Sequence, residues 1–150
     1  MGGIVPDRLR SRQARSVHAA LESANRLLSM ESPPVTVSPE EFAAERARLN
    51  ERVLATNHRV IKRLYSLDTL AYENGALSQN TKELLGLVAS LVLRCDDCVR
   101  YHLDRCHELG AKREEILDAL SVGLVVGGTI VVPHLRRAID YLDRLISPTS

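Results

Sequence analysis

Residues 81–102 read TKELLGLVASLVLRCDDCVRYH, and the rest of the chain is interpreted outward from this stretch. Its first half is apolar with helical spacing, and its second half carries Cys95 and Cys98, three positions apart. Side chains three apart lie on neighbouring parts of one helix face. His102 follows Cys98 by four residues and lies one turn further along that face. The stretch predicts two consecutive helices, with thiols and an imidazole near the start of the second.

This arrangement of two thiols and a base points to redox chemistry. At a helix start, unpaired backbone N–H groups and the helix dipole acidify a thiol, and a neighbouring imidazole can exchange its proton. In a chain with no visible signal peptide, two cysteines at this spacing indicate redox or metal chemistry. Asp96 and Asp97 suit a helix N-terminus but raise the pKa of a nearby thiol.

Two other interpretations of the cysteines remain open at this stage. Cys95 and Cys98 could be ordinary core residues, because free cysteine is often buried. They could also bind metal with His102 and Cys106, but one rigid helix cannot wrap four ligands tetrahedrally around zinc, so no metal is expected. Cys106, eight residues past Cys98, is interpreted as a core residue beneath the site, with a backup thiol as its alternative. His107 is expected to face solvent.

The remaining sequence predicts an all-α protein. The β-prone runs near Val125 and Val131 have no hairpin signal or partner strand and are interpreted as buried helix. Residues 1–38 form a predicted appendage, an amphipathic helix followed by a Pro-rich linker, and residues 39–150 form the predicted domain. The predicted helices are Asp7 to Ser29, one capped by Ser38 and ending near Tyr65, a helical turn or short helix from Asp68 to Asn74, Ser78 to Leu93, Cys95 to Leu109, Lys112 to Val126, and Thr129 to Ile146.

Composition excludes several classes of function. The 150 residues carry 20 basic and 19 acidic side chains, a net charge of +1, so no overall field attracts nucleic acid. Aromatic residues are 3% and Trp is absent, which argues against stacking of single-stranded bases. No apolar run reaches the roughly 18–20 residues of a membrane helix. A soluble cytoplasmic protein with neither a nucleic-acid nor a membrane partner is expected.

The motif resembles that of the alkyl hydroperoxidase D-like / carboxymuconolactone decarboxylase family. The resemblance rests on Glu83, the Cys95-x-x-Cys98 pair, His102, and a later segment, VVGGTIVVPHLRRA at residues 125–138. It covers about Phe42 to Leu145. It implies the helical alkyl hydroperoxidase D-like fold and an obligate homo-oligomer, commonly a trimer or hexamer.

The resemblance also implies a thiol-dependent oxidoreductase, either a peroxidase or a disulfide reductase. Carried over to this sequence, Cys98 attacks the peroxide, Cys95 resolves the resulting sulfenic acid as a disulfide, and His102 with Glu83 relays protons. A sulfenic acid beside a second thiol is the reversible step of cysteine oxidation. The implied partners are a hydroperoxide or disulfide substrate and a dithiol electron donor, with no bound cofactor.

This chain departs from the family pattern directly before the second cysteine, where Asp97 replaces a histidine. His134 is the candidate replacement imidazole, and Asp97, His134 and Tyr101 are expected around the catalytic residues. Arg136 and Arg137 are interpreted as surface or interface ion pairs, with anion binding as the alternative.

Two other functions remain as alternatives to the oxidoreductase. One is an oligomeric redox sensor or scaffold without turnover. The other is a decarboxylase of the type that gives the family its name, although the ring-cleavage decarboxylases lack the cysteine pair. The appendage, residues 1–38, is expected to pack across a neighbouring subunit, because too little chain surrounds its helix to bury the apolar stripe.

Overall fold

A computed structural model describes residues 37–147, and within this range the chain is helical with no β-strand. This confirms the all-α prediction. The predicted helix from Asp7 to Ser29 and its linker lie outside the described residues, and the boundary near residue 38 stays a prediction. The elements are α1 (Pro39–Ala55), α2 (Arg59–Tyr72), α3 (Gln79–Val92), α4 (Asp96–Glu108), α5 (Arg113–Gly127), a 3₁₀ turn (Thr129–Val131) and α6 (Val132–Ile146).

Local capping determines where two of these helices begin. The Ser38 hydroxyl accepts a bond from the Glu41 N–H at 3.1 Å, and the Glu41 carboxylate accepts one from the Ser38 N–H at 2.9 Å. This reciprocal capping box, with Pro39 at the first helical position, confirms the predicted start of α1. The Ser78 hydroxyl likewise accepts from the Thr81 N–H at 3.1 Å and starts α3.

The predicted helix ending near Tyr65 and the separate short helix from Asp68 to Asn74 are wrong. The chain instead breaks between α1 and α2, where Asn57 adopts a left-handed φ of 60°. Asparagine tolerates this conformation, and Lys62 bonds to its side-chain oxygen. Helical apolar spacing continues across the break without Gly or Pro, so the periodicity gives no sign of it.

The core lies among α3, α4, α5 and α6. Every one of these helices contributes fully buried side chains to a single cluster. The predicted stop at Gly110 is confirmed, because it has a φ of 78° after α4, and Gly128 at 71° separates α5 from the 3₁₀ turn. The principal buried apolar residues are Leu87, Leu91, Val99, Leu103, Cys106, Ile116, Leu120, Val131, Tyr141 and Leu142.

Two apolar surfaces are exposed within residues 37–147. The run at Val125 and Val126 is helical as predicted, but its predicted burial is wrong because both side chains are exposed. Helix α2 buries none of its residues. Its stripe of Val60, Leu64, Leu67 and Leu70, hereafter the α2 stripe, is 58–65% exposed. Contiguous exposed apolar surfaces of this kind are typical of interaction sites.

None of the helices between residues 37 and 147 is long and apolar enough to cross a membrane.

Candidate active site

The two motif cysteines form a disulfide at the start of α4. Cys95 is the N-cap residue, and its sulfur accepts a bond from the Cys98 N–H at 3.3 Å. Cys95 is half-buried and Cys98 is exposed, so neither belongs to the core. The pair therefore occupies the helix-start position at which backbone N–H groups stabilise a thiolate. Within residues 37–147, no group of three or more potential ligands is arranged to hold a metal ion.

Helix α3 brings a buried carboxylate to the imidazole of α4. Glu83 is 1% exposed and His102 is 7% exposed. The Glu83 Oε2 atom lies 2.7 Å from His102 Nδ1, and Oε1 lies 3.7 Å from the Arg105 Nε atom. A buried carboxylate needs such partners to offset its desolvation. The structure thus brings together the two predicted relay residues, separated by 19 positions in sequence.

Gly86 provides the space for the imidazole, and sequence reasoning missed it. A Cβ atom at Gly86 would lie 2.5 Å from His102 Cε1 and 2.7 Å from His102 Nε2. It would also lie 2.6 Å from the Tyr72 hydroxyl oxygen. A glycine inside an apolar helical run is the available signal, since it marks a close approach. Tyr72 was also missed, and no motif in the sequence indicates it.

Two cavities border the Glu83–His102 pair. Cys98 and His102 line a cavity of about 530 Å³, together with apolar Phe42 and Leu49. Glu83 lines a second cavity of about 360 Å³, which also contains Tyr72, Asp104 and Arg105. His102 lines the first cavity and Glu83 lines the second. The hydrogen-bonded pair therefore connects the cavity at Cys98 to the second cavity.

Tyr101 separates these two spaces and was among the expected surrounding residues. Its ring centroid lies 5.1 Å from that of His102. The Arg46 guanidinium lies 3.7 Å above the Tyr101 ring, and both residues line both cavities. Cation–π contact of this kind holds the two side chains together as a partition.

The other two expected surrounding residues have different partners. Asp97 is exposed and pairs with Arg100 at 2.9 Å, and exposed pairs contribute little stability. His134 Nδ1 lies 2.8 Å from Asp96 Oδ1, and Arg137 Nε donates to Asp96 Oδ2 at 2.9 Å. Burial raises the pKa of Asp96, but these two bonds outweigh it and hold that pKa below its usual value. His134 and Arg137 therefore tie α6 to the first turn of α4.

The residues further along α4 match their predicted positions. Cys106 is fully buried, and burial raises the pKa of its thiol to about 12. A thiol with so little thiolate is a core residue rather than a backup nucleophile. His107 is exposed, as predicted.

A half-buried carboxyl on α4 bonds to α6. The Tyr141 hydroxyl donates to Asp104 Oδ1 at 2.8 Å. Burial raises the pKa of Asp104 to about 6, although the Tyr141 bond lowers it. The folded protein therefore binds a proton more tightly at Asp104 than the unfolded chain does, and its stability falls as the pH rises through about 4 to 6.

Replacing Asp104 with Asn is expected to stabilise the protein at pH 7 but not at pH 4. The amide keeps an acceptor for Tyr141 and never ionises. The expected gain at pH 7 is about 1 kcal/mol, discounted because the carboxyl retains some solvent contact. Urea unfolding at both pH values measures it, with the exposed Asp118→Asn as control. Equal effects of Asp104→Asn at the two pH values would contradict the expectation.

The fold and the site define a class of small helical proteins in which a Cys-x-x-Cys disulfide lies near a buried carboxylate–imidazole pair. The sequence profile of the carboxymuconolactone decarboxylase family matches residues 59–141, more than half of the chain. The chain belongs to this family, and the resemblance drawn from the motif is confirmed.

Solved structures share this fold. One is a crystal structure of TM1620 from Thermotoga maritima, 54% identical, with a TM-score of 0.70 over 71% of this chain and 94% of that chain. A second TM1620 structure, with a TM-score of 0.68, describes a carboxymuconolactone decarboxylase family protein with a suggested part in the antioxidative response. At 22% identity, the apo form of lpg0406 from Legionella pneumophila shares the fold, with a TM-score of 0.65 over 71% of this chain and 95% of that chain.

Curated relatives are more distant. An uncharacterised protein of Cupriavidus necator is 29% identical over 75 residues, which are 50% of this chain and 66% of that protein. A Paracoccus denitrificans protein, named for its place in the cox locus, is 26% identical over 80 residues, covering 53% of this chain and 72% of that protein. Neither name assigns an activity.

Proposed function

We propose that this protein is a thiol-dependent oxidoreductase that cycles the Cys95–Cys98 disulfide, with His102 and Glu83 as its proton relay. One observation carries the proposal: an accessible disulfide begins the helix whose next turn presents an imidazole bonded to a buried carboxylate. The antioxidative role suggested for TM1620 points in the same direction.

The proposed reaction has three balanced steps. The Cys98 thiolate attacks the terminal oxygen of a hydroperoxide, forming an S–O bond, breaking the O–O bond and releasing an alcohol. His102 holds the thiol proton and returns it to the departing oxygen. Cys95 then attacks the sulfenic acid, forming the disulfide and releasing water. A dithiol donor, which the cytoplasm keeps reduced, restores both thiols and leaves as its own disulfide.

The cavity at Cys98 favours substrates larger than hydrogen peroxide. Its volume of about 530 Å³ and its apolar residues Phe42 and Leu49 suit an organic hydroperoxide or a small disulfide. Both substrate types would react with the same cysteine pair, so the peroxidase and disulfide reductase hypotheses share one site.

Treating the reduced protein with a substoichiometric organic peroxide tests the proposal. We expect peptide mass spectrometry to show rapid formation of the Cys95–Cys98 disulfide, reversed by a dithiol. Cys98→Ser abolishes it because the attacking sulfur is missing, whereas the control Cys106→Ser, in the core, leaves it intact in the folded fraction. Thiols that remain reduced in a folded wild-type protein would overturn the proposal.

A redox sensor without turnover is the second candidate, favoured by the uncovered apolar surfaces of the protomer. It predicts the same disulfide but no catalytic consumption of peroxide in the presence of excess dithiol. The sensor hypothesis also predicts that the oligomeric state changes when the disulfide forms. Peroxide consumption at a constant rate over many turnovers distinguishes the enzyme from the sensor.

We further propose that copies of this chain associate through the α2 stripe. Helix α2 has no buried residue in the part of the chain that the structure describes, and a net charge of +1 does not oppose self-association. Native mass spectrometry of the full chain is expected to show a trimer or hexamer. Leu64→Glu is expected to dissociate it, whereas Lys62→Glu, exposed on the same helix but on the side away from the stripe, does not. A monomeric wild-type chain would contradict this.

A further inference from the structure

The bond to Glu83 accounts for Nδ1 of His102, and the role of the second ring nitrogen, Nε2, is still to be assigned. Its Nδ1 atom is bonded to Glu83 at 2.7 Å. An imidazole with N–H at Nδ1 has its lone pair at Nε2, so Nε2 is the atom that accepts a proton. The surroundings of Nε2 therefore determine how the base works.

The Tyr72 hydroxyl approaches the same place from another helix. His102 Nε2 and the Tyr72 hydroxyl oxygen lie 2.7 Å and 2.6 Å from a single point, the position that a Cβ of Gly86 would occupy. The two rings are tilted, with centroids 5.5 Å apart. Tyr72 is the last residue of α2, whereas Glu83 belongs to α3, so groups from two different helices lie close to the imidazole.

We propose that the Tyr72 hydroxyl, which lines the 360 Å³ cavity, is the second polar neighbour of His102 and links Nε2 to that cavity through a bridging water. Tyr72 is thus a positioning residue for the base, and this role rests on the proposed function. The cavity already contains Tyr72 beside Glu83, and a bridging water is nearly as effective as a direct hydrogen bond.

The electrostatics of Tyr72 suit this role. Burial raises the pKa of the Tyr72 hydroxyl, and the neighbouring carboxylates of Glu83 and Asp68 raise it further. The hydroxyl therefore stays protonated across neutral pH and can both donate and accept. It holds the water, and through it the ring of His102, until the Cys98 thiol replaces the water at Nε2 and gives up its proton. It ends each turnover unchanged, so the proton balance of the reaction is not altered.

Tyr72→Phe tests this by removing only the hydroxyl. In a Cys95→Ser, Cys106→Ser background, where Cys98 is the only cysteine, we measure its iodoacetamide alkylation between pH 5 and 9 and its rate with an organic hydroperoxide. We expect both rates to fall about tenfold at pH 7, the equivalent of one lost hydrogen bond, and the pH profile to shift. Tyr65→Phe is the matched control, because its hydroxyl bonds Asn50 at 3.1 Å on the neighbouring helix.

A ring-nitrogen measurement separates positioning from a general loss of structure. With ¹⁵N-labelled histidine, Tyr72→Phe is expected to change the chemical shift of His102 Nε2 more than that of Nδ1. An unchanged pH profile with unchanged Nε2 shift would overturn the role of Tyr72. A wild-type protein that does not react with peroxide would refute the proposed function instead, while the alkylation profile and the Nε2 shift would still report on Tyr72.

Discussion

Glu83→Gln is expected to slow the reaction of Cys98 with an organic hydroperoxide by about 100-fold, the lower range for a positioned acid–base group. Glutamine keeps the shape of the side chain and an oxygen for His102 Nδ1, now 2.7 Å from the carboxylate. It removes the negative charge that stabilises the imidazolium formed when His102 takes the thiol proton. Stopped-flow mixing of the reduced variant with hydroperoxide measures the rate.

The matched control is Glu108→Gln. Glu108 has an exposed carboxylate that also pairs with Arg105. Glu108→Gln therefore removes one negative charge beside the same arginine without touching the imidazole. Its rate is expected to stay near that of the wild type. A Glu83→Gln rate within twofold of wild type would show that the buried carboxylate has no part in activating Cys98.

Gly86→Ala is expected to disrupt the site and the fold together. The new Cβ would lie 2.5 Å from His102 Cε1, and the ring cannot easily move because Glu83 holds it. Overpacking of this kind costs about 1–3 kcal/mol, set against a gain in helix propensity of about 1 kcal/mol for alanine over glycine. Displacement of His102 is expected to lower the Cys98 rate about tenfold or more, comparable to a lost catalytic hydrogen bond.

Gly123→Ala separates these two effects. It gains the same helix propensity on α5, and its Cβ would lie 2.9 Å from Leu91 Cδ2 in the core, away from the imidazole. It is expected to change stability without changing the rate of the folded protein. Urea unfolding and the peroxide rate, measured on both variants, give the comparison. If Gly86→Ala reacts with peroxide as fast as Gly123→Ala, the reaction of Cys98 does not depend on the space that Gly86 leaves for the imidazole.

The helix starts and stops were predictable because their causes are local. Ser38 and Ser78 bond to N–H groups three residues away, and Gly110 adopts a conformation that most side chains avoid. The break at Asn57 was not predictable in the same way. Apolar spacing runs through it, and asparagine is only an occasional left-handed residue.

The candidate site likewise contains one contact that could be predicted and one that could not. The pairing of Glu83 with His102 was expected only from the resemblance to the family, because on its own Glu83 looks like an ordinary acidic residue in the first turn of a helix. No local feature of the sequence predicted where the Tyr72 side chain lies. Its position depends on the angle at which α2 packs near α3, which no spacing of residues encodes.

From its sequence alone, this chain is recognisable as an all-α member of its family with two thiols at a helix start. Periodicity, caps and motif spacing act over a few residues, so they can be recognised along the chain. Only tertiary packing decided that Asp96 binds His134, 38 positions away, and that Gly86 leaves room for an imidazole and a tyrosine. Those contacts depend on how separate helices meet, and the bonds and close distances that result exist only in the folded protein.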